Sequence, residues 1–313
     1  MQAYLLYKAG GVDHLVLSEI DKPTPKADEV LIATKAISIN PVDVKIREMP
    51  KLLDQVYGTD RPLILGWDIA GVVTAVGQEV TDFKEGDKVF GLLNFPGHGN
   101  AYAQYVAAPA EQLAKIPANT SFEEAGATTL AALTALQVLE PRIKAGDKVL
   151  IHAGSGGVGH FAVQIAKHLG AYVISTSSAD NRDFVLSLGA DEHIDYKTQD
   201  FEEIVSNLDF VLDAIGGEVL EKSLRVTKDG KSIISLPTPE FSDKAKAYAK
   251  QHDIDVSFFN VTSNGDDMQT LKEMLEKGTL KAHVSKTFTF NDLAEAHRQV
   301  ESNRTVGKTI VQV

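Results

Sequence analysis

A glycine-rich segment in the middle of this 313-residue sequence limits its possible folds more than any other feature. Residues 148–152 form a short apolar run, and residues 158–169 have the spacing of a helix. Between them lies a Gly-x-Gly-x-x-Gly pattern, at Gly154, Gly156 and Gly159. A strand, a glycine turn and a helix in this order are typical of the unit that opens a dinucleotide-binding sheet. The glycines permit a tight turn, close approach of a pyrophosphate and close packing of helix on strand, and the helix N-terminus attracts phosphates.

The rest of the chain shows two patterns. Up to about residue 119, short β-like runs are separated by Pro, Gly and Asp, which predicts a small, mostly antiparallel barrel or sandwich. From residue 121, helical and strand-like runs alternate, which predicts a parallel sheet covered by helices on both faces. Ser121 and Glu124 form a capping-box pattern that opens a helix toward Leu139. The tail from about residue 284 has a strand, helix, strand pattern and could rejoin the first domain.

Composition narrows the possible partners. The formal net charge of -12 argues against nucleic acid and anionic membranes, because both favour clustered Lys and Arg. The sequence has no cysteine, which excludes disulfides, thiolate zinc ligands and a cysteine nucleophile. Residues 1–8 lack a signal-peptide pattern, and the apolar stretch 125–139 is too short to span a bilayer. We therefore expect a soluble, cytoplasmic protein.

The segment after the second predicted strand of the parallel sheet should reach the adenine ribose of a bound dinucleotide. Small hydroxyls, Ser177 among them, and the nearby Arg182 suit a 2′-phosphate and so predict NADP (NADPH). Asp180 leaves an alternative open, because a shift of a few residues would make it the acid that binds the ribose hydroxyls of NAD. We interpret Asp180 as the N-cap of the following helix, since Asp is a preferred N-cap residue.

Five motifs together identify a family. They are Asn40-Pro-Val-Asp43-Val-Lys45-Ile-Arg47, residues 65–73, the glycine segment, residues 189–196 and residues 306–309. Over nearly its whole length the chain resembles the medium-chain dehydrogenase/reductase superfamily, in its zinc-free quinone oxidoreductase and 2-alkenal (enone) reductase branch. The resemblance implies a GroES-like catalytic domain at residues 1–120, completed by 284–313, and an inserted Rossmann domain at 121–283. It also implies a cofactor and substrate cleft between these domains, and a homodimer.

The same resemblance implies roles for individual residues. Cofactor contacts are expected from the glycine segment and the ribose region, at Gly156, Gly157, Val158, Ser177 and Tyr196, and from the other domain, at Lys45, Gly307 and Lys308. The alternatives are structural: Tyr196 packs under a loop, Lys45 is a surface charge, and Lys308 flanks the closing strand. Asn40 is expected to face the cleft, although an Asn-Pro pair also suits a turn.

Zinc is not expected. Zinc-dependent relatives have a His-Glu pair where this chain has Trp67 and Asp68, and their cysteine ligands have no counterpart. The nine histidines are scattered and show no metal-binding spacing.

Without a metal, the nicotinamide supplies the hydride, and the protein supplies orientation and electrostatics. Hydride attack on the β-carbon of an enone builds negative charge on the carbonyl oxygen, and losing one donor to such an oxygen typically costs about 3–4 kcal/mol. Asn40 and Lys45 are the predicted catalytic donors, together with the nicotinamide ribose hydroxyl, and water could supply the final proton. The favoured function is an NADPH-dependent enone or 2-alkenal reductase. A quinone reductase and a cofactor-binding structural or regulatory protein are the alternatives.

Overall fold

The protein, described by a computed structural model of residues 1–313, divides into two compact units. One unit comprises residues 1–133 and 261–313, and the other comprises residues 134–260. The inserted domain predicted from the sequence, 121–283, is longer at both ends than this second unit. None of the helices combines the length and apolar character that spanning a membrane requires.

The chain begins with eight strands and four helices. The strands are β1 (Gln2–Leu6), β2 (Leu15–Glu19), β3 (Glu29–Ile39), β4 (Leu63–Ile64), β5 (Asp68–Val76), β6 (Lys88–Leu92), β7 (Tyr105–Pro109) and β8 (Leu113–Lys115). The helices are α1 (Pro41–Glu48), α2 (Pro50–Tyr57), α3 (Phe122–Ala127) and α4 (Leu130–Leu139). The long strand β3 pairs antiparallel with β5 and β7, and β6 and β8 extend the sheet from β5. The predicted mostly antiparallel domain is therefore confirmed.

The second unit alternates strands and helices. They are β9 (Lys148–Ile151), α5 (Gly159–His168), β10 (Tyr172–Ser177), α6 (Arg182–Ser187), β11 (Glu192–Asp195), α7 (Phe201–Ile204), β12 (Leu208–Asp213), α8 (Gly217–Val226), β13 (Thr227–Ser235), α9 (Asp243–Gln251) and β14 (Asp255–Phe258). The strands form one parallel sheet in the order β11-β10-β9-β12-β13-β14. This order reverses between β9 and β12, and such switch points are where doubly wound sheets bind ligands. The predicted Rossmann sheet is confirmed.

The C-terminal segment returns to the first unit. It contains α10 (Gly265–Glu276), β15 (Val284–Thr289), α11 (Leu293–Glu301) and β16 (Lys308–Gln312). β16 pairs antiparallel with β3, and Thr309 lies opposite Ile39. β15 pairs parallel with β16 and forms the edge of a seven-stranded sheet. The first residue of β16, Lys308, is thereby brought next to the segment that follows β3.

The helix predicted from Ser121 to Leu139 is instead two helices, and the continuous helix was wrong. Its start is as predicted, because Ser121 and Glu124 exchange the two hydrogen bonds of a capping box, at 2.9 and 3.1 Å. The break follows from two threonines whose hydroxyls bond carbonyls of the preceding turn, Thr128 to Glu124 and Thr129 to Gly126. The amide of Leu130, the first residue of α4, donates instead to Asp68 Oδ1 at 3.0 Å.

Candidate active site

The glycine segment lies at the carboxyl end of β9, at the switch point of the parallel sheet. Backbone bonds fix it to both neighbouring strands: His152 N donates to Leu212 O at 3.0 Å and Gly154 N donates to Thr176 O at 2.9 Å. Ala153 has a φ of +54°, in the left-handed region that alanine rarely adopts. The segment is therefore a fixed turn with one unfavourable backbone conformation.

Its glycines are required for different steric reasons. A Cβ at Gly154 would overlap Ser175 Oγ, and one at Gly159 would overlap the carbonyl oxygen of Ala153. A Cβ at Gly156 would lie 3.1 Å from that oxygen, which is tight but not an overlap. The first helical hydrogen bond runs from His160 N to Gly156 O, so the amides of residues 157–159 have no acceptor within the helix. A cradle of glycines and free helix amides fits the pyrophosphate of a dinucleotide.

Next to this turn, His152 is buried between two hydroxyls. Its Nδ1 lies 3.1 Å from Thr176 Oγ1, and its Nε2 lies 3.0 Å from Ser223 Oγ. Because Ser223 donates its own proton to Val219 O, His152 Nε2 must carry the hydrogen. Burial lowers the pKa of His152 to about 4, against the opposing effect of Asp213. His152 is thus a neutral side chain that holds strand and helix together.

The predicted ribose region brings several side chains to the ends of β10 and β11. Ser177 is buried, and its hydroxyl lies 2.8 Å from His193 Nε2 and 3.1 Å from Ser178 O. Tyr196 is 60% exposed, and its amide donates to Ser177 O at 3.3 Å. The Arg182 side chain is 60% exposed at the start of α6. The structure therefore groups the three predicted residues, with Ser177 the least accessible.

Asp180 is not the N-cap that its residue type suggested. Residues Ala179–Asn181 form a short 3-10 turn, and α6 begins at Arg182 after Asn181. The Asn181 side chain instead donates to Ser155 Oγ and Ser178 Oγ, at 3.2 Å each. The sequence interpretation was wrong because the turn moves the helix start two residues beyond Asp180.

In the other unit, Asn40 and Lys308 meet in a buried polar cluster with Asp43 and Asp68. The ammonium of Lys308 donates to Asn40 Oδ1, and Asn40 Nδ2 donates to Asp68 Oδ2 at 2.7 Å. The backbone N–H of Asn40 donates to Asp43 Oδ2 at 2.7 Å, which fixes the first turn of α1. All four side chains are at most 3% exposed. The strand pairing of β16 with β3 creates this contact between residues 268 positions apart.

The buried ionisable groups of this cluster shift one another's pKa values. Burial and the neighbouring Asp68 raise the pKa of Asp43 to about 7. Burial also raises the pKa of Asp68, opposed by Lys308 and Asn40, and it lowers the pKa of Lys308, opposed by the two carboxylates. Oδ1 of Asp43 has no hydrogen-bond partner. The cluster therefore contains two carboxylates and one ammonium without complete hydrogen bonding.

A second row of buried polar groups adjoins Asp43 and was missed from the sequence. Tyr102, whose pKa is raised by burial and by Asp43, bonds His297 Nε2 through its hydroxyl at 3.0 Å. His297 Nδ1 lies 3.2 Å from an Arg47 guanidinium nitrogen. An arginine can only donate, so Nδ1 accepts and Nε2 carries the proton. Burial, together with Arg47, lowers the pKa of His297 to about 3.

Two other predicted residues of this unit have different surroundings. Lys45 is exposed on α1, whereas the cluster beside it is buried. Gly307 has a φ of +62°, and a Cβ there would overlap the carbonyl oxygen of His283. Gly307 therefore sets the backbone path that delivers Lys308 to Asn40.

The position where zinc-dependent relatives have His-Glu is occupied by hydrogen-bonded groups. Trp67 is fully buried and donates from Nε1 to Gly97 O at 2.7 Å. The two carboxylate oxygens of Asp68 accept from Asn40 and from the Leu130 amide. Three or more His, Asp or Glu side chains grouped as a metal site occur nowhere in the structure. Asp68 is thus committed to bonds within the protein.

Family models and relatives agree on where this chain belongs. Residues 26–118 match the alcohol dehydrogenase GroES-like domain, and residues 188–311 match a domain described as zinc-binding dehydrogenase. The chain is 35% identical to a 2-methylene-furan-3-one reductase of Solanum lycopersicum and to an NADPH-dependent alkenal/one oxidoreductase of Arabidopsis thaliana. Each match covers 99% of this chain and 79% of the relative.

Solved structures show the same architecture. The quinone oxidoreductase of Coxiella burnetii superposes with a TM-score of 0.93 at 33% identity, covering 100% of this chain and 99% of that one. The Escherichia coli quinone oxidoreductase complexed with NADPH has a TM-score of 0.86 at 26% identity, with both chains fully covered. The chain belongs to the medium-chain dehydrogenase/reductase superfamily, in its zinc-free quinone oxidoreductase and enone reductase branch.

Proposed function

We propose that this protein transfers a hydride from NADPH to the β-carbon of an α,β-unsaturated carbonyl compound, an enone or 2-alkenal, without zinc. The observation that carries the proposal is the hydrogen bonding of Asp68, at the position where zinc-dependent relatives have the His-Glu pair. Both of its oxygens accept hydrogen bonds from the protein, while the glycine cradle keeps helix amides free for a dinucleotide. Relatives that are named for alkenal and enone-type reductions, one of them NADPH-dependent, support it over nearly the whole chain.

The second unit would hold the cofactor. Gly154, Gly156, Gly157, Val158 and Gly159 would contact the pyrophosphate through the free amides of the turn. Ser177, Arg182 and Tyr196 would lie at the adenine ribose, where the cation of Arg182 suits a 2′-phosphate. NADPH, when bound, supplies the hydride.

In the other unit, Asn40 would act as the donor to the substrate oxygen. An asparagine amide has two N–H groups, and one of them is used by Asp68. The second can donate to the oxygen on which enolate charge develops. Lys308, bonded to the carbonyl end of the same amide, draws electron density from it and strengthens the donor. Lys308 would thus act through Asn40 and reach the cofactor only indirectly, while the exposed Lys45 would meet a cofactor phosphate.

A quinone reductase is the second candidate, favoured by the solved quinone oxidoreductases that this chain resembles. Its product is aromatic, so its reduction needs less stabilisation of the oxygen. We also propose a homodimer, as is common in this branch, and a location in the cytoplasm.

A screen of NADPH oxidation against short enals, enones and quinones tests the proposal. The parent should turn over enones, and Asn40→Ala should lower kcat for an enone more than for a quinone, since only the enone depends strongly on the donor. The quinone rate of the same variant is the control for folding and cofactor binding. Lys45→Ala should instead raise the Kd for NADPH. A parent that binds NADPH but oxidises it with no compound would support the structural or regulatory alternative.

A further inference from the structure

Ser177 was selected from the sequence for its hydroxyl, but the structure gives that hydroxyl another use. Ser177 is only 2% exposed, and its oxygen lies 2.8 Å from His193 Nε2. His193 is on β11, which runs parallel to β10 with His193 opposite Ser175. It is only partly buried. The ribose region therefore presents the imidazole of His193 in addition to the guanidinium of Arg182.

We propose that His193 is a specificity-determining residue that contacts the 2′-phosphate of NADPH, and that Ser177 is the residue that positions its ring. The inference deepens the proposed function, on whose cofactor it rests. NADH lacks this phosphate, so contacts to it separate the two cofactors.

The hydrogen bonds allow this in both protonation states of the ring. In the neutral ring, Ser177 can donate to Nε2, which leaves the proton on Nδ1 as a donor for the phosphate. In the protonated ring, Nε2 donates to Ser177, whose own proton then goes to Ser178 O, 3.1 Å away. Nδ1 has no partner in the protein. The serine therefore holds Nε2 of the imidazole and leaves Nδ1 for a ligand.

The surrounding charges determine how the ring responds to a phosphate. Burial and Arg182 of α6 lower the pKa of His193, and Asp195 on the same strand raises it. β10 faces the ring with Ser177, which does not titrate. A phosphate held by both Arg182 and His193 would offset the repulsion between their cations, so binding should raise the pKa of the ring. By linkage, binding of the 2′-phosphate should then strengthen as the pH falls toward the raised pKa of the ring in the complex.

The test uses two probes, 2′,5′-ADP and 5′-AMP, which differ only in the 2′-phosphate. Their Kd values are measured by calorimetry at pH 6.5 and pH 8, where a phosphate with a second pKa of about 6 is mostly dianionic. For the parent we expect 2′,5′-ADP to be preferred at both pH values, and about threefold more strongly at pH 6.5. An NMR titration should show the His193 pKa raised by 2′,5′-ADP and unchanged by 5′-AMP.

Three variants separate the roles. His193→Leu should lose about tenfold of the preference, because a charge-assisted contact is removed. His193→Gln should keep part of the preference but lose its pH dependence, and Ser177→Ala should lose less than His193→Leu. His252→Gln, at a partly exposed histidine paired with Asp229, should match the parent. Unchanged 5′-AMP binding shows that each variant is folded.

The proposal is overturned if His193→Leu keeps the parent's preference, if Ser177→Ala loses more than His193→Leu, or if the parent's preference does not change with pH. These results would leave the hydride-transfer proposal intact. A parent that binds both probes equally would overturn the proposal and the NADPH assignment together, whereas absence of enone turnover with a normal preference would overturn only the reaction.

Discussion

Two fully buried carboxylates, Asp213 and Asp68, show how differently the two units stabilise internal charge. Asp213 lies at the end of β12 and accepts from the amides of Ile215 and Gly216, two and three residues further along the chain. Asp68 depends on Asn40, which in turn depends on Lys308, 268 residues away from it. The first charge is satisfied by its own turn and the second only by the assembled fold.

This difference predicts the largest effect. Lys308→Met should destabilise the protein by about 3–5 kcal/mol, because it leaves buried carboxylates without their counter-charge. Ser235→Ala, which removes a 2.9 Å bond to Asp213, should cost only about 1 kcal/mol, since the turn amides remain. Urea unfolding measures both, by Trp67 fluorescence for the first unit and by circular dichroism for the whole chain. Equal losses would show that long-range and local satisfaction do not differ as argued.

The glycine turn offers a comparison within the second unit. Gly159→Ala should lower both stability, by about 1–3 kcal/mol, and NADPH affinity, because its methyl group overlaps a backbone carbonyl that cannot move alone. Gly156→Ala has more room, 3.1 Å, so it should retain most of its stability and lose affinity at least about tenfold by blocking the pyrophosphate. Thermal unfolding and calorimetry separate the two. Should Gly156→Ala bind NADPH as the parent does, the cradle is not the phosphate site.

Each unit contains a buried histidine that should make its stability sensitive to acid. Both have a pKa below 6.5, about 3 for His297 and about 4 for His152, so the unfolded chain takes up protons first as the pH falls. Each should therefore remove about 2 kcal/mol of stability between pH 7 and pH 5. His297→Gln and His152→Gln should each reduce that loss by this amount in urea unfolding.

Below pH 4 the two histidines should diverge. His152 then protonates in the folded protein, aided by Asp213, whereas His297 resists longer because Arg47 repels its charge. An identical acid profile for the two variants would contradict this contrast between the units.

The same contrast explains what the sequence could predict. The glycine turn and the parallel sheet were predictable because their signals are contiguous in the sequence. Asn40 and Lys308 were selected through family resemblance, but nothing in their spacing shows that they bond each other. The partners Arg47, Tyr102 and His297 look like ordinary surface or core residues until β16 and α11 pack against the N-terminal segment.

Other errors arose where short polar side chains compete for backbone groups. The helix break at Thr128 and Thr129 carried a readable signal, two adjacent β-branched residues with hydroxyls. Asp180 had no such signal, because Ser178, Asp180 and Asn181 are all acceptable caps and only the backbone path distinguishes them. The role proposed for His193 has no signal in the sequence, because it depends on the bond to Ser177 of the neighbouring strand.

The smallest expected effect concerns the backbone of the glycine turn. Ala153 has a φ of +54°, and relieving this conformation in Ala153→Gly should gain about 1–2 kcal/mol, while the added freedom of the unfolded chain should cost about 0.4–1 kcal/mol. The balance is a stabilisation of about 0–1.6 kcal/mol. NADPH affinity should fall slightly, because a glycine makes the turn less fixed before binding.

Asn207→Gly is the matched control: its φ is +55° on an exposed loop, and asparagine tolerates that region, so it should show no gain. Thermal unfolding and calorimetry measure both variants. A destabilised Ala153→Gly would mean that the alanine methyl group contributes packing which outweighs its backbone strain, and the turn would then depend on side-chain contacts as the cluster in the other unit does.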